Sequence, residues 1–106
     1  MAFARIVVPQ RVARGEAFEV RVSIRHPMET GFRVDDVGRS IPRNTLREVV
    51  VRYGDAIVLR ASLGSGIAAN PYLRFFVTAR ASGELVFEWI DDAGVRVSER
   101  APVTVA

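Results

Sequence analysis

The feature that most constrains this chain is a period of two. Phe18, Val20, Val22 and Ile24 alternate with Glu19, Arg21, Ser23 and Arg25, which describes a strand with one buried and one wet face. Similar short runs occupy 3–8, 47–53, 56–63, 72–80, 84–90 and 95–105. Turn residues separate them: Arg14-Gly15, Gly54-Asp55, Ser82-Gly83 and Asp91-Asp-Ala-Gly94. Gly54-Asp55 has the glycine-first form of a two-residue hairpin. Pro9 ends the first run, and Pro102 suits an edge position in the last. The expectation is an all-β protein, an antiparallel β-sandwich of about seven strands. No helical period and no internal repeat competes with it.

With 106 residues, 49% of them hydrophobic, the chain has room for one core and one domain spanning 1–106. It contains no cysteine, which excludes a disulfide scaffold, a thiolate metal site and a cysteine nucleophile or sulfur carrier in this chain. One histidine, His26, excludes a histidine-rich metal site. The net charge of +3 comes from fifteen basic residues, all arginine, set among acids as in Glu19-Val-Arg21 and Arg47-Glu48. Without a basic stripe, nucleic-acid binding is not expected. Apolar stretches such as Val49-Val-Val51 and Ala56-Ile-Val-Leu59 are far too short to span a membrane. Met1-Ala-Phe-Ala-Arg5 does not have the form of a signal peptide. Composition alone therefore predicts a soluble cytoplasmic protein.

The long irregular stretch from His26 to Arg47 is the natural place for function, and it has room for a small hairpin around Asp35-Asp-Val-Gly38. A second loop runs from Gly64 to Pro71. His26-Pro-Met-Glu-Thr-Gly-Phe-Arg33 holds a histidine, a carboxylate, a hydroxyl and an arginine within eight residues. One reading is a polar site. The other is a strand exit, in which Pro27 stops the ladder, Gly31 turns the chain, and Met28 and Phe32 plug the sandwich end. His26 and Glu29 are too few for a metal, and a hydrolase would have only Thr30 as nucleophile. The chemistry favours the strand exit. Asp91-Asp92 and Asp35-Asp36 read as turns rather than paired carboxylates. Gly64-Ser-Gly66 lacks the helix and lysine of a phosphate loop. Trp89 alternates with Leu85 and Phe87 and belongs to the core. Asn70-Pro71 leads into a strand at Tyr72, where an exposed tyrosine is a partner anchor.

Alternation is lost in three strands. If Val49, Val51, Ile57, Leu59, Leu85, Phe87 and Trp89 point inward, then Val50, Val58, Val86 and Ile90 point outward. Clustered, they form an apolar interface; the alternative is that they lie scattered on different sheets.

Four stretches occur in order: His26-Pro-Met-Glu-Thr-Gly-Phe-Arg33, Ile41-Pro-Arg-Asn44, Ala69-Asn-Pro-Tyr-Leu73 and Trp89-Ile-Asp-Asp-Ala-Gly94. Together they resemble the SoxZ family of sulfur-oxidation proteins, and the resemblance covers essentially the whole chain. It implies an immunoglobulin-like sandwich and a heterodimer with SoxY, whose C-terminal cysteine carries sulfur intermediates during thiosulfate oxidation. It also implies transient contacts of the SoxYZ pair with SoxAX, SoxB and SoxCD, and a periplasmic location reached by co-export with SoxY. It implies no catalytic residue, no metal and no cofactor. What it offers as partner-contact candidates is His26, Met28, Glu29, Phe32 and Arg33, with Asn70 and Tyr72. The outward Val50, Val58, Val86 and Ile90 then become a face for SoxY, or for a homodimer of the isolated chain. The rivals are a stand-alone immunoglobulin-like interaction domain without a sulfur role, and a small hydrolase built on His26, Glu29 and Thr30.

Asn44 and Asn70 are the only asparagines and Gln10 the only glutamine. Few thermolabile residues and arginine-based pairing predict thermal resistance, although a GC-rich genome also replaces lysine by arginine.

Overall fold

A computed structural model describes residues 3–26, 28, 32, 34–41, 44–63 and 71–106. Among the described residues there are eight strands: β1 (Phe3–Val7), β2 (Arg11–Val12), β3 (Ala17–Arg25), β4 (Leu46–Tyr53), β5 (Ala56–Ser62), β6 (Tyr72–Thr78), β7 (Gly83–Asp91) and β8 (Arg96–Val105). They build two sheets, one ordered β1-β3-β6 and the other β2-β8-β7-β4-β5. This is an immunoglobulin-like β-sandwich, with every strand expected from the alternation in place. The additional strand is β2, and its pairing with β8 is parallel. Two residues are too few to show a period. The segment is fixed by backbone bonds instead, with Thr104 N–H donating to Gln10 O at 3.3 Å and Ala106 N–H to Val12 O at 3.0 Å. Pro9 follows β1 because the chain leaves one sheet there and joins the other.

The core lies between the sheets. Phe18, Val20, Val22 and Ile24 of β3 pack with Val49 and Val51 of β4 and with Leu85, Phe87 and Trp89 of β7. Truncating a fully buried side chain such as Phe87 to alanine removes about 3–5 kcal/mol, through lost transfer energy and the cavity left behind. Tyr53 closes this core near the β4–β5 turn. Its ring meets Phe18 edge-on at 6.3 Å. Its hydroxyl donates to Ala81 O and accepts from the Arg80 and Ala81 N–H groups at 3.3 Å.

The β4–β5 hairpin follows the glycine-first form: Tyr53 pairs with Ala56, and Gly54 stands at φ 58° while Asp55 keeps a negative φ. Farther along the pair, Val51 opposes Leu59 but Arg52 opposes Ile57. Val58 is the extra residue of a β-bulge. The bulge reverses two expectations. Ile57 faces outward and is exposed, whereas Val58 packs against the core.

Candidate functional site

At one end of the sandwich, residues far apart in sequence meet in a buried polar cluster. His26 follows the last residue of β3, and Asp91 is the last residue of β7. Both are buried, and His26 Nε2 lies 3.4 Å from Asp91 Oδ2. Met28 N–H donates to His26 Nδ1 at 3.0 Å. Nδ1 is thus an acceptor, so the network assigns the ring proton of the neutral imidazole to Nε2, facing the carboxylate. The other oxygen of Asp91 accepts Val95 N–H at 3.0 Å and closes the turn that Gly94 completes at φ 81°. Next door, Asp92 Oδ2 accepts both the N–H and the hydroxyl of Thr45, at 2.9 and 2.8 Å, while Asp92 N–H donates to Thr45 O at 2.9 Å.

Met28 plugs this end, as the strand-exit reading expects. It is 4% exposed, sits at φ 52°, and its Sδ accepts Leu46 N–H at 3.2 Å. A left-handed backbone costs an L-residue of this kind about 1–3 kcal/mol; burial of the side chain offsets it.

The cluster is built for structure. A histidine acting as general base presents one nitrogen to the nucleophile and the other, protonated, to an orienting carboxylate. Here the nitrogen facing the carboxylate carries the proton, and the other is occupied by a backbone N–H. Among the described residues no group of three or more histidine, cysteine or acidic side chains is arranged to hold a metal ion.

The remaining expected residues separate. Phe32 does not plug the sandwich: it is 90% exposed. His26 and Met28 are buried, so neither presents contact surface in this structure. Tyr72 is 55% exposed, as an anchor residue must be. Glu29, Thr30, Gly31, Arg33, Arg43, Gly64, Ser65, Gly66 and Asn70 lie outside the described residues. The expected small hairpin is present: Val34 bridges Ser40, and Asp35 Oδ1 accepts the N–H groups of Val37 and Arg39 at 3.0 and 2.9 Å. Trp89 lies in the core. The turn readings of Asp35 and Asp91 hold as well, yet no local signal marked Asp91 as the partner of His26 or Thr45 as the partner of Asp92.

The outer faces of the two sheets differ. On the five-stranded sheet, Val50, Val86 and Ile90 do point outward, but they do not make an open apolar patch. Val50 is flanked by Arg60 and Glu88, Val86 by Arg52 and Arg100, and Ile90 by Glu48 and Arg96. These long side chains flank the apolar residues between them; Val50 is left 9% exposed, and Val86 and Ile90 are half-buried. Arg52 pairs with Glu88, and Arg100 with Glu84 at 3.3 Å. Val58 is absent from this face because of the bulge.

The outer face of the three-stranded sheet carries Arg5 and Val7 of β1, Glu19, Arg21 and Ser23 of β3, and Tyr72, Arg74 and Phe76 of β6. Glu19 accepts from Arg21 and, at 2.6 Å, from Arg74 Nε. These bonds hold its carboxyl below the ordinary value of 4.5, and Glu19 in turn raises Arg21.

The profile of the family described as Sulphur oxidation protein SoxZ matches residues 6–102. No curated protein sequence matches the chain. Among solved structures, the chain is similar to superoxide reductase (neelaredoxin) from Ignicoccus hospitalis, with TM-score 0.72 and 20% identity over 97% of this chain and 80% of that one. It is also similar to the sulfur carrier protein SoxY from Chlorobium limicola f thiosulfatophilum, with TM-score 0.68 and 12% identity over 97% of this chain and 78% of that one. Such identities establish a shared fold and no shared chemistry. The profile match covers nearly the full length and contains β2 to β7, the His26 segment and the Asp91 turn together, and the chain therefore belongs to the SoxZ family of sulfur-oxidation proteins.

Proposed function

We propose that this chain is the non-catalytic subunit of a SoxYZ sulfur-carrier complex. It binds a SoxY protein whose C-terminal cysteine carries sulfur intermediates during thiosulfate oxidation. The observation that carries the reading is a SoxZ family match over residues 6–102 of a chain that itself has no thiol. A thioether such as Met28 has no exchangeable S–H and forms neither a persulfide nor a thiosulfonate. The sulfur then resides on a partner, and this sandwich supplies recognition surface without a competing nucleophile. The engaged nitrogens of His26 support a non-enzymatic role. The complex works in the periplasm, where the pair meets SoxAX, SoxB and SoxCD in transient encounters.

Two measurements test this. Intact-mass analysis of the reconstituted complex turning over thiosulfate should place every sulfur adduct on SoxY; an activity-linked adduct on this chain overturns the assignment. Copurification from native cells should yield a cysteine-tailed partner in the periplasmic fraction. Recovery of the chain without one favours a stand-alone interaction domain.

A further inference from the structure

We infer that the outer face of the three-stranded sheet is the surface that docks SoxY, through an acidic and partly apolar patch on that partner; this rests on the proposed function above. The inference comes from the contrast between the two outer faces. On the five-stranded sheet, the arginines Arg52, Arg60, Arg96 and Arg100 are nearly balanced by Glu48, Glu84 and Glu88, and two ion pairs are formed within the face. Its valines are flanked by charged side chains and at least half-buried. That face is close to electrically neutral, and its exposed apolar residue is Ile57 at the β5 edge.

The three-stranded face is not neutral. Arg5, Arg21 and Arg74 share this face with a single carboxylate, Glu19, to which Arg21 and Arg74 are bonded. Tyr72 at 55%, Phe76 at 61% and Val7 at 44% are all exposed on this one face, so apolar surface lies open among cations. The Arg74 guanidinium lies over the Phe76 ring, 5.7 Å from its centroid. A hollow of about 230 Å³ opens between Arg5, Val7, Arg21, Ser23 and Tyr72. A hollow lined by two arginines, a serine and a tyrosine suits a carboxylate side chain, and the flanking Tyr72 and Phe76 suit apolar contacts. Tyrosine and arginine are the residue types that carry most binding energy at interfaces. Excess positive charge steers an acidic partner onto the face and sets the salt dependence of association. Phe76 also borders the groove between the β5 and β6 edges, which Ile57 lines from the other side, so the exposed apolar surface continues around the margin of the sandwich.

The test uses the full-length chain and purified cognate SoxY, with affinity measured by titration calorimetry at low and high salt. The wild type should bind, and more weakly as salt rises. Arg5→Glu and Tyr72→Ala should each weaken binding at least tenfold with unchanged circular dichroism. Val86→Arg, on the opposite face, should bind within about twofold of wild type. Because a variant can lose its fold, hydrogen exchange on the wild-type complex supplies a second reading: protection should appear over 3–7 and 72–78 and not over 48–60 or 84–100. If SoxY binds and the protection lies on the five-stranded sheet, or folded Val86→Arg abolishes binding while Arg5→Glu does not, the docking face is refuted and the SoxY-binding reading stands. If the wild type does not bind SoxY at all, both fall together.

Discussion

His26 Nε2 lies 3.4 Å from Asp91 Oδ2, although the two residues are 65 positions apart in the sequence. The contact joins the end of β3 in one sheet to the end of β7 in the other, so it ties the two layers where the long loop leaves the sandwich. His26→Ala leaves a buried carboxylate short of one donor and Met28 N–H short of its acceptor. An unsatisfied buried group costs about 1–3 kcal/mol. Urea denaturation should register a loss of that size with an unchanged m-value. Equal stability of wild type and variant would show that the contact contributes nothing.

Glu19 predicts an acid dependence with a definite sign. Its carboxyl is held low by hydrogen bonds from Arg21 and Arg74. A depressed folded pKa stabilises the protein above the unfolded value, near 4.5, and that contribution is lost as pH falls through the folded pKa. The stability difference between wild type and Glu19→Gln should thus shrink progressively below about pH 4.5 and should be smaller at high salt, because the pair is at the surface. A difference that stays constant down to pH 2 would contradict it.

Gly54 and Gly83 form a matched pair. A Cβ at Gly54 would meet nothing within 4 Å, but the residue stands at φ 58°; at Gly83 a Cβ would only touch Tyr53 Cε1 at 4.0 Å, with φ outside the left-handed region. Gly54→Ala should therefore lower stability by about 1–2 kcal/mol through backbone strain alone, and Gly83→Ala should be close to neutral. Thermal melts of the two variants side by side make the comparison. The reverse order would locate the cost in packing rather than in φ.

The chain should melt above the usual mesophile range of roughly 45–65 °C. Arginine pairs on both outer faces, such as Arg74–Glu19 and Arg100–Glu84, become less costly to desolvate as temperature rises. The few thermolabile side chains point the same way. Calorimetry on the purified chain decides this, and a midpoint inside that range refutes it.

Much of the fold was legible because strand formation is a local matter of alternation and turn chemistry. Phe18 to Arg25 declares its two faces without help from the rest of the chain, and Gly54-Asp55 and Asp91 to Gly94 carry the glycine that a left-handed turn position requires. The same local logic marked Trp89 as core and Tyr72 as exposed. Other features depend on what lies opposite in space. Arg11–Val12 became a strand only because Thr104–Val105 was there to pair with it. The bulge at Val58 reversed the faces of Val58 and Ile57, since one extra residue shifts the register of everything beyond it. Val50 points outward as alternation requires but is nearly buried, and its neighbours across the sheet are the long side chains Arg60 and Glu88. His26 met Asp91, and Thr45 met Asp92, only when two sheets closed on each other. Alternation and turns are properties of neighbours along the chain; register, coverage and buried pairs are properties of neighbours in space, and only the tertiary structure brings those together.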